Sequence, residues 1–353
     1  MKGKIFFIVG VQRSGTTLLQ KVLSKHPEVL MQQRSIAFRI ITCFRNMYDL
    51  LPFNVQHDKK EFLQWLIEND EKGRLAELID YQNLEEYDNV RDLIKQSIYK
   101  KIDASGKKIW VDKSPNLQHY MNDLMLLIPE AKILHIVRDG RANAYSTSNR
   151  SYRDIELSAQ EWVDGNIFGL VNQEMLGKEN YKMLKYENLL TAPETEIKSV
   201  CDFLKIPFSK SMLDLSDDDL KEDKKYVKSF FDTSKINNWK EKFSQKEIKK
   251  VEKIQGRLLA KLGYELENKD TGFKNLSVGR RIFLKQKDNV KLLFKKKRMG
   301  MKEQEMVELN LSFKHRLYTF LMVLIRDIMS RSIFKSLFSR YFFSEKYFKK
   351  DKK

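Results

Sequence analysis

The chain has 353 residues, room for one large α/β domain with an appendage or two modest domains, and a formal charge of +18. That charge is uneven: residues 269–353 hold 23 Lys and Arg against 8 Asp and Glu, which leaves only +3 for the first 268 residues. Two cysteines, Cys43 and Cys201, exclude a disulfide scaffold and favour a reducing compartment; no apolar run approaches the roughly 20 residues of a membrane-spanning helix, and the start of the chain lacks a secretory pattern.

Lys4-Ile-Phe-Phe-Ile-Val9 reads as a buried strand that enters Gly10-Val-Gln-Arg-Ser-Gly-Thr-Thr17 and then a helix through Leu18, Leu19 and Val22. Backbone N–H groups at such a turn lack intrachain partners, and the helix dipole is positive there, so the loop suits an anion. Gly10 and Gly15 have the spacing of a nucleotide-hydrolase phosphate loop, but Thr16 stands where that loop has its lysine, and the nearby cation is Arg13. A loop of this kind holds an anionic nucleotide without splitting a triphosphate.

Farther on, Val29-Leu-Met31 is a predicted second strand, and residues 35–100 form a polar, helix-like insertion with Ile94 and Ile98 spaced for one buried face. Lys108 to Pro115 reads as a third strand ending in a turn, with Ser114 available to cap a helix over about Leu117 to Leu127. Ligands sit beyond the carboxyl ends of the strands in open α/β sheets, which sets Lys113 beside the anion loop. Lys132 to Val137 is the fourth strand and runs directly into Arg138-Asp-Gly-Arg141; Ser146 and Arg150 follow at spacings that share the Arg138 side of a helix. His135, inside this apolar strand, reads as a buried, hydrogen-bonded residue. A fifth strand is predicted over Tyr181 to Tyr186, and a last core helix over about Lys246 to Leu262, stopped by Gly263. The expected fold is therefore a three-layer, P-loop-type α/β domain over residues 1–268 with a mostly parallel five-stranded sheet, followed by a basic helical extension over 269–353.

Taken in order, Gly10 to Thr17, Asp112-Lys-Ser-Pro115, Val137 to Arg141 with Ser146 and Arg150, and Tyr186-Glu-Asn-Leu189 resemble the sulfotransferases that use 3′-phosphoadenosine 5′-phosphosulfate (PAPS), in particular bacterial members and the protein-tyrosine branch. The resemblance covers roughly residues 4 to 265. It implies that Arg13, Ser14, Gly15, Thr16 and Thr17 hold the 5′-phosphosulfate, that Arg138, Ser146 and Arg150 hold the 3′-phosphate, and that Tyr186 lies along the nucleotide. It also implies a lysine in the loop before Trp239, for which Lys228 and Lys235 both qualify, and it puts Lys113 at the sulfuryl group. No metal is called for, and 3′-phosphoadenosine 5′-phosphate (PAP) is the implied product.

The chain departs from the protein-tyrosine branch just after the second strand, where Gln32-Gln33-Arg34 replaces a glutamate pair. Neither an amide nor a guanidinium is a base at neutral pH. His119 is then the first candidate for the base, followed by His57, Asp58 and Glu61, with Glu28 further back. This departure leaves the base unassigned and weakens tyrosine as the acceptor; a hydroxyl of a carbohydrate or glycolipid is the leading expectation, lipid-linked if the C-terminal extension meets a membrane. Asp112 is expected to be structural, because strand alternation turns it away from Lys113.

In the extension, Arg280-Arg281 and Lys295 to Arg298 precede a stretch, residues 311–343, in which apolar residues recur at helical spacing between cations. That pattern fits a helix lying on an anionic membrane, or one packed on protein, better than it fits nucleic acid. A cytoplasmic protein, peripheral at the inner face of its membrane, is the expectation, with an oligomer allowed. A nucleotide kinase or other NTPase is the competing enzyme reading, opposed by Thr16; an idle nucleotide-binding scaffold is the competing non-enzyme reading, supported by the missing glutamate pair.

Overall fold

The computed structural model describes residues 3–32, 35–36, 41, 78–79, 86–151, 153–215, 231–268 and 272–298. In chain order its elements are β1 (Lys4–Val9), α1 (Thr16–Ser24), β2 (Val29–Gln32), α2 (Val90–Ser105), β3 (Ile109–Lys113), α3 (Met121–Leu127), β4 (Lys132–Val137), α4 (Gly140–Ser151), α5 (Ile155–Leu176), β5 (Tyr181–Lys185), α6 (Tyr186–Thr191), α7 (Pro193–Leu204), α8 (Ser234–Lys242), α9 (Gln245–Lys261) and α10 (Val278–Arg298).

The five strands form one parallel sheet in the order β2-β3-β1-β4-β5. Parallel strands covered on both faces need continuous apolar runs, and β1 at the centre supplies one, with Ile5 to Val9 each 1% exposed or less. Alternate residues serve opposite layers: Ile5, Phe7 and Val9 pack among residues of α2 and α3, while Phe6 and Ile8 pack among residues of α1 and α7. The chain leaves β1 toward one edge and β4 toward the other, so their carboxyl ends flank the crevice where open α/β sheets place ligands.

Helix α5 fixes the remaining geometry. The Trp162 indole donates to the Arg138 carbonyl at the carboxyl end of β4 (2.9 Å), Gly169 passes over the His135 ring, and the Gln173 amide reaches the Tyr181 carbonyl at the start of β5 (3.3 Å). The helix therefore runs antiparallel to the strands, with its first two turns projecting beyond their carboxyl ends. His135 is wholly buried and its Nδ1 pairs with the Tyr181 hydroxyl at 2.8 Å; burial, with a smaller push from His119, lowers its pKa to about 3, so it stays neutral.

Several local expectations change. Asn116 takes a left-handed φ of 68°, and Leu117–Tyr120 forms a 3-10 turn ahead of α3, so the continuous helix predicted from Leu117 does not form. Ser114 caps nothing: its hydroxyl donates to Asp112 Oδ1 at 2.9 Å and meets that of Ser35. Strand β5 stops at Lys185, and Tyr186 opens α6. By contrast α2 buries Ile94 and Ile98 as their spacing predicts, and α9 is held by a capping box between Ser244 and Glu247. Most of the insertion, and all of residues 299–353, lie outside the described residues.

Past Asn268 the chain docks again. The Leu276 N–H donates to Gln160 Oε1 (2.8 Å), Leu284 is fully buried, and α10 packs against α5.

Candidate active site

The loop from Gly10 to Gly15 joins β1 to α1, and its shape depends on two glycines. A Cβ on Gly10 would lie 2.6 Å from the Ile136 carbonyl oxygen, and one on Gly15, at φ 100°, would lie 2.3 Å from the Tyr186 ring. Arg13 is also left-handed, at φ 70°, so Arg13 and Gly15 bracket Ser14 with positive φ, a curl that turns successive N–H groups into one concavity. The first intrahelical bond of α1 is Leu19 N to Gly15 O (3.1 Å), and no acidic residue occupies its first turn, so the N–H groups there remain available to an anion. Gly15→Ala forces both a strained φ and a collision, at a cost of about 1–3 kcal/mol. Differential scanning calorimetry is expected to show a melting temperature several degrees lower, by about 2–4 °C per kcal/mol.

Side chains from the β4 end close over this loop. Asn143 Nδ2 donates to the Gln12 carbonyl (2.8 Å) and to Ser14 Oγ (3.1 Å). Arg138 donates to the Arg13 carbonyl (3.2 Å) and the Lys235 carbonyl (2.9 Å), lies 4.7 Å from the Tyr186 ring centroid, and keeps a buried Nε with no partner among the described residues. Arg13 Nε in turn donates to Ser146 Oγ (3.1 Å). The two cation sets expected at separate strand ends thus touch each other: Arg13, Arg138, Ser146 and Tyr186 form one wall around the loop. Arg150 falls one turn after Ser146 on α4. Lys235 is anchored by Asp232 at 4.0 Å, and Lys228 lies outside the described residues.

Beneath Arg138 is a buried ionic cluster that the sequence reading missed. Arg141 grips Asp139 through Nε (3.0 Å) and NH2 (2.7 Å) and reaches Glu252 through NH1 (2.7 Å), with its guanidinium 4.2 Å from the Trp239 ring centroid. Burial alone would lower the Arg141 pKa, but the bonds and charge of Asp139, then of Glu252, hold it above its ordinary value. Glu187 accepts from the Asp139 N–H (2.9 Å) and the Tyr264 hydroxyl (2.8 Å); burial raises its pKa, partly offset by those bonds, and burial next to Glu187 raises that of Tyr264. The backbone after β4 is thereby locked from both sides.

A family model described as the sulfotransferase family matches residues 6–210. The chain belongs to that family. Among its relatives, a Caenorhabditis briggsae protein named for protein-tyrosine sulfotransferase is 25% identical over 280 residues, covering 74% of this chain and 89% of that protein. The protein-tyrosine sulfotransferase of Drosophila melanogaster is 26% identical over 220 residues, 59% of this chain, and the chain spans only 39% of that longer protein. Among solved structures, the sulfotransferase domain from the curacin biosynthetic pathway matches with a TM-score of 0.52 and 21% identity, covering 75% of this chain and 99% of that domain, which establishes the shared fold.

For a member of this family the remaining question is the acceptor side. Lys113 is the last residue of β3 and pairs in register with Ile8, two positions before Gly10, so it ends beside the loop. Asp112 is fully buried on the other face, accepting from the Ile36 N–H (2.8 Å) and Ser114, as alternation requires of a structural residue. His119 stands edge-on to Phe168 with ring centroids 4.9 Å apart; a Cβ on Gly165 would meet both Val11 (2.6 Å) and His119 Nε2 (3.5 Å), so the imidazole flanks the start of the loop. Glu28 precedes β2 at the amino end of the sheet and pairs with Lys108, which removes it as a base. His57, Asp58 and Glu61 lie outside the described residues, as do Gln33 and Arg34. Among the described residues no group of three or more His, Cys, Asp or Glu is arranged to hold a metal ion, and no helix is long and apolar enough to cross a membrane.

Proposed function

We propose that this chain transfers a sulfuryl group from PAPS to a hydroxyl acceptor. The observation that carries the reading is the continuity of the Gly10–Gly15 concavity with Arg138 and Ser146 through Arg13. One bisphosphorylated nucleotide can then be held at both ends, with Arg13, Ser14, Gly15, Thr16 and Thr17 toward the 5′ end and Arg138, Ser146, Arg150 and a lysine, Lys235 or Lys228, toward the 3′-phosphate. The buried, unpartnered Arg138 Nε supports this fit, because a polar group left so is costly until a ligand satisfies it. Tyr186 backs Arg138 and limits how deep the nucleotide sits.

When bound, PAPS supplies a sulfuryl group whose bond to the phosphate oxygen breaks as a bond to the acceptor oxygen forms. The role of Arg13, Lys113 and the loop N–H groups is to neutralise charge gathering on the leaving phosphate. The acceptor proton passes to a base, and His119 is the described residue best suited to take it. Gln32, at the end of β2, cannot do so, so the carboxylate that serves the protein-tyrosine branch is missing at this position, and the acceptor read here is a carbohydrate or glycolipid hydroxyl. A peptide tyrosine is the second reading, favoured by the names of the animal relatives.

Calorimetry with PAP in the absence of Mg²⁺ tests the nucleotide assignment. Binding is expected for the intact chain, with an affinity lower by about 10- to 100-fold in Arg138→Ala, as for loss of a charged hydrogen bond. No binding, or binding only with Mg²⁺ and a triphosphate, overturns it in favour of an NTPase. Labelled sulfate transfer to oligosaccharides, glycolipids and tyrosine peptides then separates the acceptors.

A further inference from the structure

Gln118, the neighbour of the candidate base, is fully buried, yet neither Nε2 nor Oε1 of its amide has a hydrogen-bond partner among the described residues. A buried amide left so is costly, and an apolar side chain of the same shape avoids the cost, which marks such a residue as one kept for a purpose other than stability. The backbone gives it no way out. Asn172 Nδ2 on α5 donates to the Gln118 carbonyl (2.8 Å), and the turn that carries Gln118 and His119 is tied through the Asn116 N–H to the Gly10 carbonyl at the head of the anion loop (2.9 Å). The amide is therefore held inside, at a fixed place relative to the loop.

That place is against His119. A Cβ on Gly165 of α5 would lie 2.9 Å from Gln118 Nε2 and 3.5 Å from His119 Nε2, so both groups converge on the gap that this glycine leaves in the helix surface. Since neither amide atom is bonded, a half-turn of the group breaks nothing and sets Oε1 where Nε2 stands. Two other atoms of this buried layer, Asn166 Oδ1 and His135 Nε2, also lack partners, but their side chains are anchored by the Trp162 carbonyl (2.8 Å) and the Tyr181 hydroxyl (2.8 Å). Of the three, only the Gln118 side chain has no anchor. Burial, and then a charge on His119, lowers the His135 pKa, which puts the His119 imidazole close to the same layer.

We propose that Gln118 is a positioning residue for His119: its amide oxygen accepts the Nε2–H and so leaves the Nδ1 lone pair to take the acceptor proton. The bond offered to one ring nitrogen decides which nitrogen carries the hydrogen, so a carbonyl oxygen at Nε2 fixes that tautomer and holds the ring. The same oxygen favours the imidazolium that forms once the proton has moved. Because Gln118 is buried, its dipole acts without competition from bulk water. The use of His119 as the base rests on the function proposed above; the contact between Gln118 and His119 does not.

The test is NMR titration of the full chain, with the His119 ring signals assigned by their loss in His119→Ala. The neutral ring is expected as the Nε2–H tautomer. Gln118→Met keeps the length of the side chain and removes the amide; it is expected to mix the tautomers and to lower the His119 pKa by about one unit, because the charged form loses a hydrogen bond. The other titratable groups on the elements around His119 are Arg13 in the loop, Lys113 of β3, Tyr120 and Asp123 in the turn and α3, His135 of β4, and Asp164 of α5, which Arg281 pairs; all are common to both chains. The melting temperature is expected to hold or rise in Gln118→Met, since a costly amide has gone, while turnover falls about 10- to 100-fold at unchanged PAP affinity. In the His119→Ala background the same substitution should lower turnover no further, as for two residues that act as a unit. An Nδ1–H tautomer in the parent chain, a His119 titration unmoved by Gln118→Met, or a full further loss of turnover in the His119→Ala background each overturns the proposal. Full turnover in His119→Ala alone overturns the positioning role together with the base, whereas tautomer and titration report on the contact itself, which keeps the two failures distinct.

Discussion

Arg141→Ala is expected to destabilise the domain by about 3–5 kcal/mol, the range for removing one partner of a buried ion pair. Arg141 is 4% exposed and answers two carboxylates, Asp139 at 6% and Glu252 at 0%. Without it, two buried carboxylates face each other with no cation between them, and the Trp239 face loses its guanidinium. Glu252 still receives the N–H groups of Glu267 and Asn268 and the Asn268 amide, each at 2.8 or 2.9 Å, so it is held in place and cannot swing to water. At about 2–4 °C per kcal/mol, the melting temperature should fall by about 6–20 °C. Arg141→Lys keeps the charge but loses the two-pronged grip on Asp139, and an intermediate loss is expected. Because Asp139 directly follows Arg138, folded Arg141→Ala should also bind PAP more weakly. A melting temperature unchanged by Arg141→Ala removes the cluster from the account.

This cluster also marks where the sequence stopped being readable. The five strands were legible because buried parallel strands are near-continuous apolar runs, and the crevice followed from which strand ends carry glycine and a cation. Pairing partners were not legible: Glu252 lies 111 residues from Arg141 and Asp164 lies 117 from Arg281, and nothing local in the chain marks either match. Arg280-Arg281, counted in the sequence only as part of the basic extension, are contacts to Glu156 and Asp164 of α5. Asn143 had a faint local signal, a polar residue between Ala142 and Ala144 in a stretch that proves buried, but only the fold shows that it clamps Gln12 and Ser14. The helix predicted from Leu117 failed on one residue, because a left-handed Asn116 directs the chain into a 3-10 turn first, and Ser114 is engaged by Asp112 instead of capping.

Lys113→Ala is expected to lower turnover about a hundredfold while leaving PAP affinity within a few-fold of the parent chain. The argument begins with register: Lys113 closes β3 opposite Ile8, and Ser114 N donates to the Ile8 carbonyl (2.9 Å), so the strand end is tied to β1 immediately before the loop. Asp112, one residue earlier, is fixed on the opposite face, and strand alternation therefore commits Lys113 to the other. A cation there is adjacent to the anion concavity and is well placed for charge that grows during transfer. Losing one such stabiliser costs about 3 kcal/mol in the transition state, about a hundredfold in rate. The signature is a fall in kcat and kcat/KM together, since an interaction made only in the transition state leaves ground-state binding alone. Lys113→Arg, which keeps a cation of different shape, should recover part of the rate. Unchanged turnover in Lys113→Ala removes this residue from the mechanism. A loss confined to PAP affinity instead makes it a nucleotide-binding group, and a parent chain that binds PAP but transfers no sulfate to any acceptor class leaves the idle scaffold as the reading that stands.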